Sequence, residues 1–320
     1  MARKVILDLD PGIGDALAAV AALCDPQLDV VALTAVGGAV EPTKSSRNVL
    51  AIVEQLDPQR RPKIGFAHEG DPVEPSLSEF HRRLQSLHGA TGLGDWTRAV
   101  PELHHRHESA KLLVDLVRDQ PHEITLVTLG PLTNVAVACD RCPGFLSLLD
   151  GLVVVGGSAS GTGDVTPAAE FNIHHDPEAA RHVLSSAEPK TLIPLEAAER
   201  VSLTFAEFEQ VCGGTTAGAQ FLRRLLPHAF RAHHQVLGFE GLPLRELLGV
   251  AAVARPFLFQ SRRLPVDVET HGELTRGATI CDRRPRPASE GEGGRAFVVE
   301  EVDTSGIVAY LAQVLGASAT

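Results

Sequence analysis

The stretch VILDLDPGIGDA, residues 5–16, decides how the chain is to be read. Its first three residues are β-branched or apolar, the run of a buried strand, and Pro11-Gly12 then turns the chain sharply. Asp8 and Asp10 therefore fall at the exit of a strand, and Asp15 opens a helix. Carboxylates at a strand's C-terminal end, facing a helix start across a turn, stand where open α/β sheets place their ligands. Two readings fit the stretch by itself: the carboxylates gather a hard cation or a polyol, or they cap the helix.

The same alternation recurs outward from this stretch. KVILDLD, DVVALTAVGG, PKIGFA, EITLVTLG, GLVVVGG and KTLIPLE are short β-rich runs, and segments between them such as SSRNVLAIVEQL and ESAKLLVDLVRDQ have helical spacing. Such a βαβ series predicts an α/β fold: a Rossmann-like open, mainly parallel sheet covered by helices on both faces, with functional residues in the loops after the strands. From about residue 200 to 256 the pattern turns helical, through TFAEFEQVC and AGAQFLRRLLPHAFRAHHQVL. Two later strands, in RRLPVDVET and RAFVVEEVD, flank a Gly-, Pro- and Arg-rich surface loop at 282–295. SGIVAYLAQVLG reads as a docked terminal helix with a serine cap, Ser305. No internal repeat or long linker divides the chain, so residues 1–320 read as one domain with a C-terminal helical excursion.

Composition narrows the function. With 44% hydrophobic and 22% charged residues the chain is an ordinary globular protein, and a net charge of −11 without a dense Lys/Arg run excludes a nucleic-acid backbone as partner. No apolar stretch approaches membrane-spanning length and the N-terminus enters a strand at once, so a cytoplasmic protein without membrane contact is expected. The five cysteines are scattered; Cys139 and Cys142 form one C-x-x-C with no second pair to complete a zinc site, and read as free thiols. LHHRHES, with His104, His105 and His107, reads as a solvated helix start. No phosphate-binding G-x-x-x-x-G-K-[ST] is present, and the glycines of GGSASGTGD do not make a dinucleotide fingerprint.

A second polar group lies in GDVTPAAEFNIHHDPEAA, residues 163–180. In an extended loop Glu170 and Asn172 would point the same way, and a carboxylate beside an amide grips vicinal hydroxyls. The alternative is that the two stabilise their own turn. Asp176 followed by Pro177 marks a helix start.

Together with LHGATGLGD at 87–95, TLGPLTN at 128–134 and VDVETHGELTRG at 266–277, these two motifs resemble the inosine-uridine-preferring nucleoside hydrolase family, in the family's order and over almost the whole chain. The resemblance implies a Rossmann-like enzyme, often a homodimer or homotetramer, that hydrolyses the N-glycosidic bond of a small-molecule ribonucleoside or related ribosyl compound with bound Ca²⁺. By this resemblance Asp10 is a metal ligand and the general base for the attacking water, Asp15 is a bidentate ligand, and Leu129 offers its carbonyl. Glu170 and Asn172 hold the ribose hydroxyls, and Asp164, His88 and His234 complete the substrate contacts. Ca²⁺ accepts six to eight oxygens, which suits such a set.

The chain departs from the family's pattern at several of these positions. Gly14 stands where the motif D-x-D-P-G-x-D-D-A has its first paired Asp, and Ala39 where Asn is usual. A His-Asp pair is replaced by Arg245 and Glu246, and Glu196 and Ala198 stand where Asp and Thr are typical. Glu246 keeps the charge of a fourth metal ligand and adds one methylene. Arg245, in the catalytic place of the histidine, stabilises a leaving anion but releases no proton near neutral pH. His233 or His234 then stands as a replacement acid, or as a surface histidine. The alternative to a hydrolase is a ligand-binding pseudoenzyme of the same fold.

Overall fold

A computed structural model describes residues 2–68, 78–100, 106–285 and 294–316. The opening stretch folds as read. Strand β1 (Arg3–Leu9) is followed by helix α1 (Ile13–Cys24), strand β2 (Leu28–Ala35), helix α2 (Pro42–Leu56) and strand β3 (Lys63–Phe66). Helix α3 (Ser78–His88), strand β4 (His107–Glu108) and helix α4 (Ser109–Asp119) come next, then β5 (Ile124–Thr128), α5 (Thr133–Arg141) and β6 (Gly151–Val155). Short helices α6 (Phe171–His175) and α7 (Pro177–Leu184) lead to β7 (Lys190–Ile193) and α8 (Leu195–Ala198).

The helical excursion holds two short strands that its pattern did not suggest. β8 (Ser202–Thr204) pairs antiparallel with β9 (Gly241–Pro243), clasping α9 (Phe205–Val211) and the long α10 (Ala217–Leu237) before α11 (Arg245–Ala254). The chain then adds β10 (Phe259–Val268), β11 (Thr279–Cys281), β12 (Arg295–Val302) and α12 (Thr304–Val314). The cap of α12 is Asp303, whose side chain accepts the Gly306 N–H at 3.0 Å; Ser305, the expected cap, donates to that carboxylate instead. Asp176 caps α7 with Pro177 in its first turn, as expected. His107 opens β4 rather than a helix, while His104, His105 and residues 286–293 of the Arg-rich loop lie outside the described residues.

The principal sheet runs β11-β10-β12-β7-β6-β5-β1-β2-β3-β4. It is parallel from β12 to β4, with β10 and β11 adding an antiparallel edge. β1 lies between β2 and β5, and its residues from Val5 to Leu9 are all buried, which explains a continuous apolar run rather than an alternating one. α1 is apolar on nearly every side because it is covered by the sheet below and by α10 and α11 beyond. α2, α10, α11 and α12 share that face, and α4, α5 and α7 cover the other.

Two polar ties pin the layers where β1 ends. Asp8, fully buried, accepts hydrogen bonds from Thr34 of β2 at 2.6 Å and Asn134 of α5 at 2.8 Å. Gly249 lets α11 press onto the sheet: a Cβ there would lie 2.7 Å from Leu129, 2.8 Å from Val155 and 2.9 Å from Val127. Gly249→Ala is therefore expected to lower stability by about 1–3 kcal/mol through overpacking, offset only in part by alanine's better helix propensity. A thermal melt checks this, and an unchanged or higher midpoint contradicts it.

Candidate active site

Asp10 is the first residue beyond β1. Its carboxylate lies between Gly38 and Gly130, where a side chain at either position would collide with it, and its Oδ2 accepts the Ala39 N–H at 2.6 Å. Asp15, in the first turn of α1, answers the question its motif leaves open. Oδ2 accepts the Gly12 N–H at 3.3 Å, as a capping carboxylate does, while Oδ1 is buried and has no hydrogen-bond partner among the described residues. One oxygen serves the helix and the other faces the site.

Glu246, in the first turn of α11, brings in a third carboxylate. A Cβ on Gly14 would lie 2.5 Å from Glu246 Cδ and closer still to its Oε2, so this carboxylate rests directly over the Gly14 backbone. Burial, Glu246 and Asp8 together push Asp10 up to about 8 despite the Ala39 N–H. Burial, Asp10 and Glu246 raise Asp15 well above the usual carboxylate range. Burial also raises Glu246, against its own backbone N–H and the Arg245 cation. The charges acting most strongly on Asp10 and Asp15 are all negative.

The segment 164–172 forms the opposite wall, and it is not extended. Glu170 is the N-cap of α6: its Oε2 accepts the Ile173 N–H at 3.3 Å and the Gly157 N–H at 2.8 Å. Asn172 sits inside that helix and donates to the carbonyls of Leu129 at 2.8 Å and Val155 at 3.0 Å. Both residues still line the cavity, but helix geometry rather than strand alternation brings them there. Burial and the neighbouring Asp164 raise Glu170 to about 7. The motif at 266–277 braces this wall from behind, with His174 Nδ1 donating to the Arg276 carbonyl at 2.9 Å.

Arg245 is clamped. Its guanidinium bonds Asp164 Oδ2 at 2.7 Å and approaches Glu199 at 3.5 Å. Asp164 also accepts the Phe171 N–H at 3.0 Å through Oδ1, so both its oxygens are engaged. Asp164, the expected substrate contact, lines the cavity and also holds Arg245.

Three histidines divide into two that reach the cavity and one that does not. His88, from α3, accepts the Ile13 N–H on Nδ1 at 3.2 Å, which leaves its proton on Nε2; burial and nearby His233 and His228 lower it to about 4. His233 donates Nδ1–H to the Ala229 carbonyl at 2.9 Å, keeping Nε2 as an acceptor, and burial lowers it too. His234, the expected substrate contact, is exposed and lies 3.6 Å from Glu240. The reason is helical phase: Ala229, His233 and Leu237 share one face of α10 and line the cavity, whereas His234 is turned about 100° away. That spacing of four was the available signal. Glu199, Arg83, Phe80 and Phe239 lie outside the motifs, and Phe171, inside one, gave no sign of joining them on the cavity wall.

These groups enclose one cavity of about 410 Å³, with the Asp10, Asp15 and Glu246 carboxylates on its lining and aromatic and imidazole rings around it. Its volume suits a small polar molecule with a ring. A family model described as inosine-uridine preferring nucleoside hydrolase matches residues 5–309. The chain belongs to this family. It is 34% identical over 317 residues to the pyrimidine-specific ribonucleoside hydrolase RihA of Salmonella paratyphi C, covering 98% of each chain. A solved plant nucleoside hydrolase superposes with a TM-score of 0.89 at 26% identity, covering 99% of this chain and 100% of the other. The purine-preferring ribonucleoside hydrolase of Gardnerella vaginalis superposes at 0.83, also at 26% identity, covering 98% and 99%. As a nucleoside hydrolase, the protein cleaves the N-glycosidic bond of ribonucleosides. Nothing favours the pseudoenzyme alternative.

Nucleoside hydrolases generally depend on a metal ion. Among the described residues no three His, Cys, Asp or Glu side chains stand in a ready-made cage. The donor chemistry nevertheless fits a hard divalent cation: the set is all oxygen, one buried Asp15 oxygen lacks a partner, and the strongest charges on Asp10 and Asp15 are negative.

Chelator-treated protein should show this repulsion in its pH dependence. Asp10 titrates at about 8 in the fold against 3.8 ordinarily, and Glu170 at about 7 against 4.5. Each keeps its proton in the fold after the unfolded chain has lost it, so the stability it contributes is complete below the unfolded value and is lost as pH rises through the folded one. His88 and His233 act oppositely, but only below about pH 6.5. Between about pH 6.5 and 8 the melting temperature should therefore fall, and a saturating divalent cation should flatten the slope. A flat profile without cation would remove the repulsion.

Proposed function

We propose that this nucleoside hydrolase acts on pyrimidine ribonucleosides, uridine first, with Ca²⁺ as its metal. The observation that carries the reading is the pair Asp10, at the exit of β1, and Asp15, in the first turn of α1, buried in the cavity with no cation among the strongest charges acting on them from the described residues. Uridine as substrate is supported by the 34% identity to a pyrimidine-specific relative over 98% of both chains. Asp10, Asp15, the Leu129 carbonyl and Glu246 would hold the ion. When bound, it supplies the charge that keeps these carboxylates ionised and makes the attacking water more acidic.

Asp10 accepts the proton of that water. Positive charge then develops on the sugar beside buried carboxylates, which stabilise it more strongly than in water. Glu170 and Asn172 orient the ribose from the opposite wall, with Asn172 Oδ1 left for a hydroxyl because its amide nitrogen is committed to Leu129 and Val155. At the leaving group, Arg245 presents a fixed positive charge held by Asp164 and Glu199. His88 offers an Nε2–H donor and His233 an Nε2 acceptor, both from neutral rings. The base is thus stabilised as it departs by a cation and an oriented donor. Assembly as a homodimer or homotetramer and residence in the cytoplasm belong to the same reading and rest on the family resemblance. Among the described residues no helix is long and apolar enough to cross a membrane.

Asp10→Asn should lower kcat for uridine by about 10²–10⁴-fold, the usual worth of a general base. Above about pH 8, where Asp10 is ionised in the chelated fold, the melting temperature of the variant should hold or rise, because a repelling buried charge is gone. Retention of a tenth of the wild-type rate would take Asp10 out of that role. Ca²⁺ should raise the melting temperature of the native protein more than Mg²⁺, whose rigid octahedron suits this set poorly. A larger response to Mg²⁺ would reassign the ion, and faster release of base from inosine than from uridine would reassign the substrate.

A further inference from the structure

The departures at positions 14 and 246 meet in space. Gly14 is in the first turn of α1 and Glu246 in the first turn of α11, two helices that pack against each other. The Glu246 carboxylate lies where a side chain on residue 14 would begin, with Cδ 2.5 Å and Oε1 3.1 Å from the Cβ position. The depth of α11 makes this contact. Gly249, one helical turn after Glu246, lets the helix sink against Leu129, Val127 and Val155, and so carries the first turn of α11 close to α1.

We propose that Gly14 and Glu246 are one functional unit, in which the carboxylate facing the ligand over the first turn of α1 is delivered from α11 and position 14 must stay bare to receive it. The inference rests on the cation reading above and adds Gly14 as a positioning residue. A glutamate at 246 is long enough to reach over α1, and any larger residue at 14 would push its carboxylate out of that place. The family's aspartate at 14 would therefore not restore a lost contact in this chain. It would drive a second carboxylate into the first, adding like-charge repulsion to a steric clash.

The test is a double-mutant cycle with wild type, Gly14→Ala, Glu246→Ala and the double variant, read in two ways: melting temperature with chelator, and Ca²⁺ affinity by titration calorimetry. Gly14→Ala should lower the melting temperature while Glu246 is present and hold or raise it once Glu246 is truncated. Failure of Gly14→Ala alone to fold, with recovery in the double variant, is the same result in stronger form. For Ca²⁺, Gly14→Ala should weaken binding about tenfold or more, and should add nothing to the loss from Glu246→Ala. An equal drop in melting temperature in both backgrounds overturns the coupling. Unchanged Ca²⁺ affinity in Gly14→Ala overturns the positioning role. Should wild type bind no Ca²⁺, the cation reading fails and takes the positioning role with it, while the melting cycle still decides whether the two residues form one unit. Uridine turnover, measured separately on wild type, tests the substrate assignment alone.

Discussion

Mutual repulsion among carboxylates gathered beyond β1 is the constraint around which the structure is arranged. Carboxyl groups buried this deeply favour their neutral forms unless opposite charge is near. Among the described residues the charges acting most strongly on Asp10 and Asp15 are negative, and Arg245 is tied to Asp164 and Glu199. Asp8 accepts from Thr34 and Asn134 on one oxygen, and in doing so fastens β1 to β2 and α5. Asp10 has one backbone N–H and Asp15 another, too little to offset their burial. The imbalance means that positive charge brought into the pocket would relieve the strain of these buried carboxylates.

Much of this was legible in the residues because it is local. A strand run ending in D-x-D-P-G and passing into an alanine-rich helix leaves little choice for where Asp10 and Asp15 go, and the repeated βαβ pattern places the exit of β1 beside that of β5. Legibility ended where geometry depended on phase or on distant packing. Glu170 and Asn172 line the cavity from the start of a helix, not from the extended loop that their spacing suggests. Glutamate is not among the usual N-caps, so a one-turn helix opening on Glu170 gave no warning. His233 and His234 are neighbours in sequence, and only the faces of α10 separate a ring in the cavity from one in solvent. The antiparallel pair β8 and β9 is too short to leave a pattern.

The substitutions relative to the family show why residue-by-residue comparison misleads when positions are coupled. Gly14 taken singly is a loss of a carboxylate, and Glu246 taken singly is an awkward lengthening. In the folded chain the second lies over the first. Arg245 likewise loses a proton donor yet brings a permanent charge with two carboxylates to hold it in place.

The side-chain cast of the cavity is divided by layer. The Asp10, Asp15 and Glu246 carboxylates on its lining belong to a strand exit and two helix starts, whose positions are fixed by the core. Phe80, Leu84, Leu87 and His88 all come from α3, a helix that packs on α10 outside the sheet and meets the opening motif through the bond from Ile13 to His88. Phe80, Leu84 and Leu87 shape the cavity from outside the sheet that positions the carboxylates. Side chains of α3 and the carboxylates at the strand exit and helix starts thus reach one cavity from separate parts of the fold, joined by the bond from Ile13 to His88.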